Sequence, residues 1–151
     1  MPLANQVGQS AFLQRSLGSF TGILKWQQLD DLWQVLKAKA DAGWYVYVVG
    51  DDLPVSTVSA DHLCQFITEM DILLKKEHQQ DYCGLVYVDD VNDPGFIKIY
   101  HPNNLGGACS TSKAPPLPGW ILSLLKPEDL AGTAVLTSSR MRWWRRIFSR
   151  N

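Results

Sequence analysis

The feature that most constrains the fold is a run of six aromatic and β-branched residues, WYVYVV, at positions 44–49. Glycines bound the run on both sides, at Gly43 and Gly50. Aromatic and β-branched residues favour extended backbone, and a run without polar residues predicts a strand that is covered on both faces. We therefore expect residues 44–49 to form a central strand of a sheet.

Helical periodicity flanks this strand on both sides. In residues 26–42 apolar side chains recur every three or four positions, which predicts one buried helix face. Residues 59–78 repeat the pattern, with Ser59 as the expected N-cap and lysines near the C-terminal end. The segments 82–88 and 96–100 predict two further strands, and the turn-forming sequence DDVNDPG between them indicates a hairpin.

The order helix, strand, helix, strand, strand indicates an α+β fold. A strand-helix-strand unit joins parallel neighbours through a crossover, whereas a short turn joins antiparallel neighbours. We therefore expect a mixed sheet of three to four strands with helices packed on it, the fourth strand being residues 120–125. A chain of 151 residues with 46% hydrophobic residues suits one domain with its own core.

Composition separates this domain from two flanking segments. Residues 1–23 form a polar N-terminal segment, expected to be loosely ordered or an edge element, and residues 24–136 form the single α+β domain. Within the domain, residues 102–119 form a long loop that holds four of the eight prolines. Its APPLPG sequence favours polyproline II, which serves either as a docking strip for aromatic grooves or as a stiff connector. Residues 137–151 form a basic amphipathic tail, expected to be helical.

This tail carries the strongest binding signal in the chain. Its sequence from residue 140 to residue 150, RMRWWRRIFSR, contains five arginines and no acidic residue. In a helix the apolar side chains and the arginines fall on opposite faces, with Arg140 as the exception. The apolar face either closes the domain's own core or binds a partner, in which Trp and Arg are frequent hot spots. The expected binding residues are Arg142, Trp143, Trp144, Arg145, Arg146 and Phe148.

Three kinds of target compete for the tail. A larger protein partner is favoured, because one short helix holds a bilayer weakly. An anionic membrane surface comes second and nucleic acid third, since no basic patch elsewhere supports a nucleic-acid footprint. The net charge of −1 is the sum of two opposite charges: residues 1–139 carry −6 and residues 140–151 carry +5. The acidic body argues against nucleic acid and offers the tail an intramolecular partner.

Two acidic pairs provide the best case for catalysis. Asp51 and Asp52 follow the first predicted strand, and Asp89 and Asp90 follow the second. If these strands are parallel, all four carboxylates meet at one edge of the sheet, where a divalent cation such as Mg²⁺ would support phosphoryl chemistry. The opposing interpretation is that these aspartates are ordinary turn residues. No glycine-rich phosphate loop accompanies them.

A histidine and a cysteine mark a second possible site. His101 ends the third predicted strand, at the edge expected to lie opposite the acidic pairs, and Cys109 lies in the long loop. The two side chains are suited to binding a metal or cluster, or to acting as base and nucleophile. The alternative is a loop with an incidental thiol, because one His and one Cys do not complete a zinc site.

The sequence contains neither a secretory signal pattern nor an apolar run long enough to span a bilayer, which predicts a cytoplasmic protein. Three irregularly spaced cysteines do not suggest a disulfide framework. We therefore expect a small accessory or adaptor protein that binds a larger partner through the tail and the long loop, rather than an enzyme. The alternative is a metal-dependent enzyme or metal-handling protein that uses the aspartates or the His101/Cys109 loop. The sequence does not identify a cofactor.

Overall fold

The computed structural model describes residues 11–78, 80–102 and 117–129. These residues form an α+β fold, as the order of sequence patterns predicts. In chain order the elements are α1 (Ala11–Ser16), β1 (Thr21–Ile23), α2 (Trp26–Ala38), β2 (Tyr45–Val48), α3 (Ala60–Glu77), β3 (Val86–Val88), β4 (Phe96–Ile99) and β5 (Trp120–Ser123). Both predicted long helices, the predicted hairpin and the predicted additional strand are therefore present.

The sheet has five strands in the order β1-β3-β4-β5-β2, and every neighbouring pair is antiparallel. The prediction of a mixed sheet of three to four strands is therefore wrong. The helix α3 does connect β2 to β3, but β4 and β5 lie between these two strands. Consequently β2 and β3 are not neighbours, and they run in opposite directions.

The strand β2 lies at an edge of this sheet, which corrects the central position predicted for WYVYVV. Among the described strands it pairs with β5 alone, in the register Tyr45↔Ser123 to Val48↔Trp120. Val46, Tyr47 and Val48 are nevertheless buried. Both faces of an edge strand can be covered by packing, so an apolar run predicts burial of the faces and does not predict how many neighbours the strand has.

One face of the sheet packs against α2 and α3. Rows of apolar side chains cross all five strands, for example Ile23, Val86, Ile99, Trp120 and Val48. The apolar stripes of the two helices complete this cluster; their fully buried members include Leu29, Leu36, Leu63, Phe66, Ile67, Met70 and Leu74. The periodicity that predicted these helices therefore arises from their burial against the sheet.

The opposite face carries a smaller aromatic cluster. Its buried members are Phe12, Tyr47, Val49, Phe96 and Ile121. Phe12 belongs to α1, and its side chain is 1% exposed. The described part of the N-terminal segment, residues 11–23, therefore packs on the domain and supplies an edge strand and part of the second cluster.

In the described part of the chain, no helix combines the length and the apolar character that crossing a membrane requires. The predicted tail, residues 137–151, and most of the predicted loop 102–119 lie outside the described residues.

Candidate interaction site

A tight turn directly after β2 positions the first acidic pair. Gly50 has a φ of 97°, and the Asp51 N–H donates to the Val48 carbonyl at 2.9 Å. A side chain at position 50 would strain this conformation, which glycine adopts without a steric penalty. The turn places Asp51 and Asp52 at the carboxyl end of β2.

The chain then returns along β2 toward α3. The Val58 N–H donates to the Trp44 carbonyl at 2.8 Å, which holds the end of this return next to the start of the strand. Ser59 then caps α3, its Oγ accepting the His62 N–H at 3.2 Å. The predicted N-cap is confirmed, and the residues from Asp51 to His62 wrap around the open edge of β2.

Between β2 and this returning segment lies a groove with a volume of about 520 Å³. This volume is in the range of small-molecule and side-chain binding sites. We call it the β2 groove. The residues that line it are Val46, Val48, Asp51, Asp52, Pro54, Ser56, Thr57, Val58, Ser59 and His62.

The β2 groove is lined by two buried valines of the main core and by two aspartates. Val46 and Val48 are 5% and 3% exposed, so most of the accessible lining comes from the returning segment, and Asp51 and Asp52 supply two carboxylates. The Asp51 Oδ1 accepts the Asp52 backbone N–H at 2.8 Å, which orients the first carboxylate. Among the described residues that line the groove there is no Lys or Arg. Such a surface suits a cationic side chain with an apolar stem, above all that of arginine.

The second acidic pair lies at the other end of the sheet. Because β2 and β3 run in opposite directions, Asp89 and Asp90 are far from Asp51 and Asp52 along the strand axis. The hypothesis that the four carboxylates meet at one edge is therefore wrong. Its premise was a parallel pair of strands, which the sheet does not contain.

Asp89 has a clear structural role in the β3–β4 turn. Its Oδ1 accepts backbone N–H groups from Asp90, Gly95 and Phe96, at 2.9, 3.0 and 3.1 Å. Its Oδ2 lies 2.6 Å from the Arg15 Nη1, and its side chain is 9% exposed. Both carboxylate oxygens of Asp89 therefore have partners. The side chain stabilises the hairpin turn and links it to Arg15 in the last turn of α1.

His101 lies at the same end of the sheet as Asp51, because β2 and β4 point in the same direction. The prediction that it lies opposite to all the acidic residues is wrong for Asp51 and Asp52. Its ring stacks on Trp120 with centroids 5.7 Å apart and an interplanar angle of 25°. Its proposed partner Cys109 lies outside the described residues. Within residues 11–78, 80–102 and 117–129, no group of three His, Cys, Asp or Glu side chains is arranged to hold a metal ion.

Burial shifts the pKa of two ionisable side chains of the sheet region, Cys83 and Lys98. Cys83 is fully buried, and burial raises the pKa of its thiol. Burial also lowers the pKa of Lys98, whose Nζ donates to the Ser16 carbonyl at 2.6 Å. The Lys98 ammonium lies 4.0 Å from the centroid of Phe20. These contacts fasten the segment after α1 to the second face of the sheet.

Sequence patterns missed the contribution of the returning segment and of α3 to the β2 groove, which comes from Pro54, Ser56, Thr57, Val58, Ser59 and His62. A signal was present, because eleven residues separate the end of β2 from the start of α3. Connections between a strand and a helix usually take about 2–6 residues. A longer connection rich in Ser, Thr and Pro indicates a segment that runs over the surface of the domain.

A second groove, with a volume of about 410 Å³, lies at the opposite edge of the sheet beside β1. It is lined by Thr21, Gly22, Ile23, Gln28, Asp31, Leu32, Val35, Val91 and Asn92. With one carboxylate among these described residues, it is less acidic than the β2 groove.

The six predicted binding residues of the tail, from Arg142 to Phe148, lie outside the described residues. Comparisons of the chain with protein-family models, with curated proteins and with solved structures found no match.

Proposed function

We propose that this protein is a small accessory or adaptor protein that binds a larger protein partner. The contact is made by the Trp/Arg-rich tail, residues 140–150, and by the Pro/Gly-rich loop, residues 102–119. The observation that carries this proposal is the separation of charge. All 15 acidic residues lie in the described body, whereas five of the 14 Lys and Arg residues lie in the tail.

The chemistry of the tail favours recognition of a protein surface that is acidic and partly apolar. Arginine makes paired hydrogen bonds to carboxylates, and tryptophan buries a large area when it enters a pocket. Arg145 and Arg146 are the central pair of the expected basic face, while Trp143 and Trp144 belong to the expected apolar face. These residue types dominate the energy of many protein interfaces.

The contacts at both ends of the loop support its role as a second element of the interface. At one end His101 is buried and stacks on Trp120. At the other end Leu117 packs against the second hydrophobic cluster. The loop therefore starts and ends on the body, and Asp51 lies at the same end of the sheet. We propose that the APPLPG sequence in this loop contacts the partner beside the tail.

Affinity capture with the full-length protein, followed by mass spectrometry, tests the proposal. The variant Arg145→Glu/Arg146→Glu reverses two charges of the tail, and Lys37→Glu/Lys76→Glu reverses two exposed charges on α2 and α3 as a matched control. We expect the tail variant to reduce capture of a specific protein by about tenfold or more, and the control to retain it.

Equal capture by both variants would exclude the tail as the binding element. Retention of anionic vesicles or of nucleic acid by the tail, in place of a protein, would replace the proposed partner class. Trp143→Ala/Trp144→Ala separates the two contributions. If charge alone mediates binding, this variant keeps its partner and loses no more than the control does.

A further inference from the structure

We infer that residues 133–137, with the sequence TAVLT, add a strand to the open edge of β2. The inference concerns the body of the protein and does not depend on the proposed function. Three features support it: the direction in which the backbone groups of β2 point, the burial of this strand, and the place where the described chain ends.

The backbone groups of β2 point alternately toward β5 and toward the open edge. Neighbouring residues of an antiparallel strand turn their N–H and C=O groups in opposite directions. The Val49 N–H donates to the Gly119 carbonyl at 3.0 Å, so Val49 faces β5, and in the register of this strand pair Tyr47 does the same. Val46 and Val48 therefore turn their N–H and C=O groups away from β5, toward the β2 groove.

The segment that returns from Asp51 toward α3 satisfies these outward groups only at its two ends. The Asp51 N–H donates to the Val48 carbonyl, and the Val58 N–H donates to the Trp44 carbonyl. Between these two bonds, the Val46 N–H, the Val46 carbonyl and the Val48 N–H make no hydrogen bond to another described residue. These three backbone groups of an edge strand are therefore suited to a partner strand.

Burial makes unpaired backbone groups costly at this position. Val46 and Val48 are 5% and 3% exposed and belong to the main core. Buried N–H and C=O groups in native proteins are almost always hydrogen-bonded, because an unpaired buried group loses the bond that it would make with water. The groove of about 520 Å³ leaves room for an extended chain between β2 and the returning segment. We therefore expect a hydrogen-bonding partner at this edge.

The described chain ends next to β2. The Tyr47 hydroxyl lies 3.5 Å from the Asp129 Oδ1, on the second face of the sheet. The place for an added strand is about 4.8 Å from β2, and the four residue steps from Asp129 to Thr133 span up to about 13–14 Å. Because β2 is an edge strand of the described sheet, the chain reaches this place without crossing another described strand.

The sequence after the end of the described chain has the composition of a buried strand. Residues 130–139 contain no charged residue, and TAVLT alternates β-branched with aliphatic residues. The other segments outside the described ranges suit the edge less well. Residues 103–116 contain two adjacent glycines and two adjacent prolines, which disfavour strand pairing, and residues 1–10 contain a single β-branched residue.

Pairing at this edge fixes where the tail leaves the body. Two residues, Ser138 and Ser139, connect the added strand to Arg140, the first residue of the RMRWWRRIFSR sequence. The start of the tail is then held at the β2 edge, and the covered edge is protected from pairing with other chains. That this position presents the tail to a partner rests on the proposed function.

Amide hydrogen exchange of the full-length protein, resolved by residue with NMR, tests the pairing. The Tyr47 N–H, which faces β5, is the internal reference. We expect the Val46 and Val48 N–H groups to exchange within about tenfold of the Tyr47 rate, because a strand on each side protects them equally. Faster exchange than this would overturn the proposal. Cross-strand nuclear Overhauser contacts from these two amide protons to residues 133–137 identify the partner segment, and their absence would also overturn it.

Two adjacent proline variants, Ala134→Pro and Val135→Pro, test the direction of the added backbone. Neighbouring N–H groups point to opposite sides, so one variant removes a donor to β2, whereas in the other the lost N–H faces solvent, where an edge strand tolerates proline. We expect one variant to accelerate exchange at Val46 and Val48 about tenfold more than the other. Ser139→Pro, beyond the strand, is the control. Equal rates in all three variants would overturn the proposal.

Protein concentration and partner capture separate the remaining outcomes. Protection of Val46 and Val48 that rises with protein concentration would assign the edge to a second copy of the chain and overturn pairing within one chain. If the proline variants change exchange but no partner depends on the tail, the added strand stands and the proposed function fails. If a partner depends on the tail and both proline variants match Ser139→Pro, the proposed function stands and the added strand fails.

Discussion

The two ends of the sheet each carry a pair of aspartates directly after a strand, and the two pairs have different structural duties. At the β3–β4 turn, the Asp89 carboxylate accepts three backbone N–H groups and pairs with Arg15. At the turn after β2, the positive φ of Gly50 allows the chain to reverse its direction, and the aspartates line a groove. One turn therefore depends on a side chain and the other on the conformation of the backbone.

The largest effect is expected at the turn that depends on a carboxylate. Asp89→Ala should lower the free energy of unfolding by about 2–4 kcal/mol, because three backbone donors and one guanidinium lose their acceptor. Urea denaturation followed by circular dichroism measures the loss. Asp89→Asn keeps one acceptor oxygen and should lose about half as much. A loss below about 1 kcal/mol for the alanine variant would show that the hairpin does not depend on this side chain.

A smaller loss is expected at the turn that depends on glycine. Gly50→Ala forces a Cβ into a backbone with positive φ and should destabilise the fold by about 1–2 kcal/mol. Gly95→Ala is the matched control, because a Cβ there lies 3.5 Å from the Asp89 Oδ2, an ordinary contact distance, and φ is not positive. Thermal denaturation of both variants measures the difference. Equal melting temperatures would remove the distinction between the two turns.

Removing Arg15, the cationic partner of Asp89, should have a modest effect on stability. The Arg15 side chain is 50% exposed, so Arg15→Ala should reduce the free energy of unfolding by about 0.5–1 kcal/mol. The same measurement at about 1 M salt should show a smaller difference from the unmodified protein, because salt screens the exposed pair. A loss as large as that of Asp89→Ala would place the stabilisation in the ion pair instead of the backbone hydrogen bonds.

The smallest effect on stability is expected at the groove. Asp52→Ala should change the free energy of unfolding by less than about 0.5 kcal/mol because its side chain is exposed, and Asp51→Ala, which removes the acceptor of the Asp52 N–H, by about 0.5 kcal/mol. Urea denaturation of these variants and of the Asp89 variants under the same conditions compares their free energies of unfolding. A loss of about 2 kcal/mol or more at Asp51 would give the two pairs the same structural role.

Local patterns predicted most of the helices and the hairpin correctly. The two long helices follow from the three- and four-residue spacing of their apolar residues, and Ser59 forms the predicted cap. The turn between β3 and β4 follows from its Asn, Asp, Pro and Gly residues. In each case the physical cause lies within a few residues of the element itself.

The candidate site was predicted only in part. Asp51 and Asp52 were identified as site residues, but the chemistry assigned to them assumed a parallel neighbour. The groove depends on the return of residues 52–58 along β2 and on the Val58 N–H to Trp44 carbonyl bond. A bond between residues fourteen positions apart leaves no periodic trace in the sequence.

By itself the sequence determined the α+β class, the positions of the helices and the opposite charges of body and tail. These properties depend on side-chain periodicity, turn chemistry and composition, which act locally. Only the tertiary structure decided that β5 inserts between β4 and β2 and that Asp89 pairs with Arg15, 74 positions away. Strand order and the environment of a carboxylate depend on residues that are distant in sequence, and so equal aspartate pairs acquired unequal roles.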